Sequence, residues 1–117
     1  MIGDLSGCKN FFIVTGRTDM RKSIDGLMGI IQNTFNMDPF ENAAFFFCGR
    51  KADRIKVLHF DRDGLTLLYH RLDRGRYQWP RDASEVRPLT RQQLRWLLEG
   101  LEIDQKNVIP DAQKRPF

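Results

Sequence analysis

Apolar positions along the 117-residue chain change their period twice, and each change marks a new kind of element. Phe11 to Val14 is a short β-favouring run ended by Gly16, which predicts a first strand. Met20, Ile24, Leu27, Ile31 and Phe35 then recur at spacings of four, three, four and four, the stripe of one helix face. Thr18 is the expected N-cap and Asp19 suits the positive end of the dipole, so a long N-terminal helix is predicted from Thr18 to Phe35. Gly26 and Gly29 each cost about 1 kcal/mol inside such a helix, or mark close backbone packing. The stretch from Asn36 to Asn42, with Asp38-Pro39, reads as a loop.

From Ala43 the period shortens. Ala44 to Cys48, Arg54 to Phe60 and Leu65 to Leu72 are three strand-like runs separated by GRKAD and DRDG, the pattern of an antiparallel meander. Asp61 and Gly64 suit the first and the left-handed positions of a tight turn. Closing that hairpin sets Phe60 opposite Leu65, Leu58 opposite Leu67 and Lys56 opposite Tyr69, with Val57 across from Leu68 and His59 across from Thr66 on the other face. Both faces are then partly apolar, so the first helix should cover one side and a second helix or a second subunit the other. Pro80 and Pro88 flank a short extended piece, and Thr90 with Gln93 makes a capping box ahead of Leu94, Leu97, Leu98 and Leu101, with Gly100 as terminator. The expected fold is α+β: an antiparallel β-meander packed with a long N-terminal helix and a shorter C-terminal one. Residues 1–103 form the single domain of this reading, and residues 104–117, with two prolines and little periodicity, a mobile C-terminal tail.

Composition narrows the function classes. Hydrophobic content of 41% and charged content of 29% fit a folded domain, and no apolar run approaches the roughly 20 residues of a membrane span. The start lacks the regions of a secretory signal, so a cytoplasmic location is expected, with no membrane partner. Cys8 and Cys48 read as small buried hydrophobes rather than a disulfide framework.

The net charge of +4 is unevenly placed. Residues 1–49 carry −1, residues 50–81 carry +5, and residues 82–117 balance. Arginine outnumbers lysine thirteen to six, a bias that suits phosphate and carboxylate contacts. Arg50, Lys51 and Arg54 fall between two strands, and Arg74, Arg76 and Arg81 after the last of them, so two basic loops at one end of a sheet could bracket a nucleic-acid backbone. The segment from Arg71 to Pro80, RLDRGRYQWP, adds Arg71 and two large aromatics. Tyr77 and Trp79 have two readings: flat faces for a base or a partner protein, or core.

Enzymatic constellations are thin. Asp61 and Asp63 are explained by their turn; with Asp19 and Asp25 they are the carboxylates a metal-dependent nuclease would use. His59 and His70 share a sheet face without a third ligand at zinc spacing. Cys48 lies in an apolar run unlike that of a nucleophile, and the glycines match no phosphate loop. No catalytic residue, metal site or cofactor is assigned.

TGRTDMRKSIDGL (Thr15 to Leu27) and RLDRGRYQWP, joined by DPF (Asp38 to Phe40) and the DRDG turn, resemble the TnpB-type accessory proteins of the sixty-six family of bacterial insertion sequences. These are distinct from the RNA-guided nucleases that share the name. The resemblance covers about Phe11 to Gly100 and places Asp19, Arg21, Lys22 and Asp25 in one signature and Arg71, Arg74, Gly75, Arg76, Trp79 and Pro80 in the other. It implies a bacterial, non-enzymatic accessory protein of transposition and DNA recombination, encoded beside a separate acidic-triad transposase. The partners it implies are element DNA and that transposase, with a second copy of the chain as a further candidate. Arg21 and Lys22 at a helix start oppose the dipole and suggest an outside anion or a carboxylate partner. The candidate nucleic-acid contacts are therefore Arg21, Lys22, Arg50, Lys51, Arg54, Arg71, Arg74 and Arg76, with Tyr77 and Trp79 for stacking or partner contact; a protein-interaction module without DNA contact, and less favourably the nuclease, are the alternatives.

Overall fold

A computed structural model describes residue 5 and residues 7–38, 42–61 and 63–106. Most of the expected tail, part of the DPF segment and Arg62 lie outside the described residues. The element order is β1 (Asn10–Val14), α1 (Ile24–Gly29) continued by a π-helical turn (Ile30–Thr34), β2 (Ala43–Cys48), β3 (Arg54–Phe60), β4 (Leu65–Arg71), β5 (Val86–Leu89) and α2 (Arg91–Leu98).

The strands form one mixed sheet in the order β4-β3-β2-β1-β5. The meander β2-β3-β4 is antiparallel, and its last hairpin has the predicted register, with Phe60 opposite Leu65, Leu58 opposite Leu67 and Lys56 opposite Tyr69. The Asp61 carboxylate fixes that turn by accepting from the Asp63 and Gly64 backbone N–H groups at 2.9 and 3.0 Å. Two further strands extend the meander: β1 runs parallel to β2, and β5 pairs antiparallel with β1. Parallel neighbours need a crossover, which the segment from 15 to 42 provides through α1.

The long N-terminal helix of the sequence reading is corrected to a six-residue α-helix and a five-residue π-helical turn. Its N-cap is Ser23, not Thr18. Thr18 is buried and its backbone N–H donates to the Cys48 carbonyl at 2.9 Å, so it is spent on joining two loops. Asp19 folds the next residues into a turn of their own, its carboxylate accepting from the Arg21 backbone N–H at 2.9 Å. At the far end, Asn36 takes a left-handed φ of 53° and the helical segment stops. α2 follows its sequence signals. The Thr90 and Gln93 capping box is present in both directions, and Gly100 adopts φ +85° beyond the last turn.

One layer packs on each sheet face. Leu27 and Ile31 of the α1 segment close over Val14, Phe45, Phe47, Leu58 and Phe60. Leu94 and Leu97 of α2, with Tyr77, Trp79 and Ile103, close over Phe11, Ile13, Phe46, Cys48, Ile55 and Val57. Every residue of β2 is buried, which explains its continuous run AAFFFC: a central strand covered on both faces has no polar side. Cys8 and Cys48 are both buried, free thiols. No described helix is long and apolar enough to cross a membrane.

Candidate nucleic-acid interface

The topology gathers the basic loops. β1 and β2 run parallel, β3 and β4 turn back beside them, and the Val14–Val86 pair and the Cys48–Ile55–His70 row lie at one end of the sheet. The segments leaving that end therefore lie together, and they carry all eight candidate contacts: Arg21 and Lys22 after β1, Arg50 and Lys51 after β2, Arg54 and Arg71 as directly opposed cross-strand partners, and Arg74 and Arg76 after β4. Arg17 joins them. Seven of the eight are exposed, Arg21 among them at 91% although it is paired, and Arg54 is half-buried against Asp53. Two shallow hollows run side by side here, about 290 and 370 Å³, and they share Asp53 and Arg54. Arg50 and Lys51 border the first, Arg71 the second.

Aspartates answer some of this charge. Asp19 grips Arg21 through two carboxylate oxygens, at 3.0 and 2.8 Å, and this pairing with the backbone bond from Arg21 holds the Asp19 carboxyl down at about 2. Asp53 holds Arg54 at 3.1 Å, and Asp73 lies 4.0 Å from Arg74 with both side chains fully exposed. Solvent screens exposed pairs of this kind and leaves them weak, so a phosphate can displace the carboxylate. Lys22, Arg50, Lys51, Arg71 and Arg76 have no ion pair among the described residues.

The aromatics of the second signature face inward. Tyr77 and Trp79 are 4% and 6% exposed, and the Trp79 indole N–H donates to the Val14 carbonyl at 3.0 Å. Their two readings resolve to core, and neither ring is open to a base. Burial pushes the Tyr77 phenol up to about 12. Arg81, grouped by sequence with the basic loops, is likewise taken: its guanidinium donates to the Gly16 carbonyl and, at 2.6 Å, to the Gly49 carbonyl. It bolts the loop after β1 to the loop after β2.

The two sequence signatures are thus built against each other. The Gly16 N–H donates to the Pro80 carbonyl and the Thr15 N–H to the Glu85 carbonyl, both at 2.9 Å, while the Thr15 hydroxyl donates to the Ala83 carbonyl and accepts from the Glu85 N–H. Sequence reasoning missed this joint. Its only available signal was the small polar and glycine pair Thr15-Gly16 at a strand end.

The nuclease carboxylates do not converge. Asp19 stands at the basic end, whereas Asp61 and Asp63 occupy the β3–β4 turn at the opposite end and Asp25 lies in α1. His59 contacts the Asn42 side chain at 3.5 Å, and among the described residues no group of three or more His, Cys, Asp or Glu side chains could hold a metal ion.

The profile of the IS66 Orf2 like protein family matches residues 9–108, which spans the whole sheet and both helices. The chain belongs to that family. Its similarity extends to two uncharacterised proteins of Sinorhizobium fredii (strain NBRC 101917 / NGR234): y4hO is 35% identical over 91 residues, 78% of this chain and 79% of that protein. The second, y4jC, is 24% identical over 102 residues, 87% of this chain and 86% of the relative. No solved structure matches. Membership in the IS66 Orf2-like family associates the chain with insertion sequences, and the TGRTDMRKSIDGL and RLDRGRYQWP signatures both lie inside the matched span.

Proposed function

We propose that this IS66 Orf2-like protein is a non-enzymatic accessory factor of insertion-sequence transposition whose basic sheet end contacts the phosphates of element DNA. The observation that carries the reading is the convergence of eight basic side chains from three separate segments on one end of the sheet. A solvated charge run needs no such convergence. Guanidinium and ammonium groups in that arrangement neutralise a phosphate backbone and release its counterions.

Burial of Tyr77 and Trp79 sharpens the mode. Phosphate contacts position a protein on a duplex without reading sequence. Selection of the element's ends then falls to the transposase partner, and this protein supplies affinity and geometry. The scattered carboxylates support a factor without a cleavage site of its own.

Fluorescence anisotropy on a labelled terminal-repeat duplex and on a random duplex tests the reading. Both should bind at low salt with similar affinity. Log Kd should depend linearly on log salt, and Arg74→Ala and Arg76→Ala should each reduce the slope by about 1. Failure of both duplexes at low salt overturns it, and co-purification with the transposase in that event favours the interaction module.

A further inference from the structure

The α1 segment covers its face of β3 and β4 only in part. Leu58, Phe60, Leu65 and Leu67 pack beneath it, but Tyr69, two residues nearer the basic end on the same face, is 53% exposed. Large exposed apolar side chains are rare here; among the described residues only Leu101 joins it. An exposed tyrosine alone needs no explanation. Its surroundings set this one apart.

Lys56, its cross-strand partner, holds its ammonium 5.7 Å from the ring centroid, and the same ammonium donates to the Lys22 carbonyl at 2.7 Å, which fixes it there. Asp53 first, and the Tyr69 hydroxyl after it, stabilise the charged form of the Arg54 guanidinium. Arg71 follows Tyr69 by two on the same strand face and lies directly opposite Arg54. Three cations thus share a two-stranded face with one half-open ring, where Asp53 pairs with Arg54 and Asp73 lines the same hollow as Arg71. A flat ring among cations is the arrangement that holds an unpaired strand: the ring stacks on a base while the cations take the flanking phosphates.

The geometry points to Tyr69 as the stacking platform of a single-stranded DNA site, with Lys56, Arg54 and Arg71 holding the phosphates on either side of the stacked base. This rests on the reading that the protein contacts DNA and adds a strand preference to it. The basic loops hold a duplex by its backbone; the β3–β4 face accepts the strand that has left it. Tyr77 and Trp79, buried, cannot serve this role.

Anisotropy with a labelled oligothymidylate of about 20 nucleotides and with a duplex of the same length separates the two sites. Tyr69→Ala should weaken the single strand about tenfold and leave the duplex within about twofold, whereas Tyr69→Phe should retain single-strand binding because the ring remains. The Arg74→Ala, Arg76→Ala double variant should weaken the duplex. Tyr69 projects from an edge strand, so its variants should keep the parent's thermal unfolding midpoint, which circular dichroism checks. Unchanged oligothymidylate affinity in Tyr69→Ala, or an equal loss on both probes, overturns the assignment. A parent protein that binds the duplex but not oligothymidylate removes this inference alone; one that binds neither removes the DNA reading with it.

Discussion

The indole N–H of Trp79 donates to the backbone carbonyl of Val14 across 65 positions of sequence, at 3.0 Å and out of contact with solvent. This bond ties the arginine and aromatic signature to the end of β1, and it separates the residues of that signature into two kinds. Trp79 and Tyr77 point in and belong to stability. Arg74 and Arg76 point out, Arg74 held only by the exposed Asp73 at 4.0 Å.

Trp79→Phe should therefore destabilise the fold by about 1–3 kcal/mol, because the ring is largely replaced but a buried carbonyl loses its donor. Trp79→Ala should cost about 3–5 kcal/mol through the cavity it leaves. Arg74→Ala and Arg76→Ala should stay within about 0.5 kcal/mol of the parent. Urea denaturation of the four variants checks the division. A tryptophan variant as stable as the parent would contradict the placement of Trp79 in the core.

Arg81 separates from its neighbours in the same way. Its guanidinium spans the Gly16 and Gly49 carbonyls, two acceptors at the ends of parallel strands, and only a planar fork with several donors satisfies both. Arg81→Lys should lose one of these bonds and about 1–2 kcal/mol, and Arg81→Ala more, by urea denaturation. Counterion release should not follow suit: the salt slope of DNA binding in Arg81→Ala, read at a temperature where that variant is folded, should equal that of the parent, in contrast to Arg76→Ala. A reduced slope at unchanged stability would instead make Arg81 a phosphate ligand.

What the sequence made legible divides along the range of the interactions. The β3–β4 register follows from Asp61 and Gly64 because a tight turn fixes pairing locally. The α2 start follows from Thr90 and Gln93 for the same reason. The cap and acidic first turn at Thr18 and Asp19 are a genuine helix-start pattern, but the Thr18 backbone is tied to the Cys48 carbonyl with its side chain buried, and the Asp19 carboxylate is spent on a local turn, so the helix starts later, at Ser23. Met20 kept its apolar spacing without being helical, since it packs against the core from a loop. Parallel pairing of β1 with β2 leaves no short-range mark, and β5 carries Pro88, which suits an edge strand and obscures the strand signal. In the site, the basic loops were visible as charge, whereas Arg81 as a clamp has the same one-letter appearance as Arg76 as a free cation. The exposed Tyr69 went unmarked as a contact residue because an alternating strand pattern does not tell which part of a face a short helix leaves bare.

Two buried proton-bearing groups predict a loss of stability at alkaline pH. Burial pushes the Cys48 thiol from 9.0 up to about 11, against the pull of the Arg81 guanidinium, and the Tyr77 phenol from 10.0 up to about 12. Both groups are held neutral by the folded state, which binds protons more tightly than the unfolded chain does above pH 9. Their contribution is fully present below about pH 9 and is lost as pH rises, first through the Cys48 range to about 11 and then through the Tyr77 range to about 12. The urea midpoint should consequently fall above pH 9. In Cys48→Ala the first part of that fall should be shallower, because the substituted side chain has no proton to lose, although the smaller residue lowers the midpoint at every pH. The native thiol should also resist a thiol-specific reagent at pH 8 and react at once in urea. A Cys48 that reacts rapidly in the folded protein, or an alkaline fall of the same steepness in Cys48→Ala, would place that thiol outside the core.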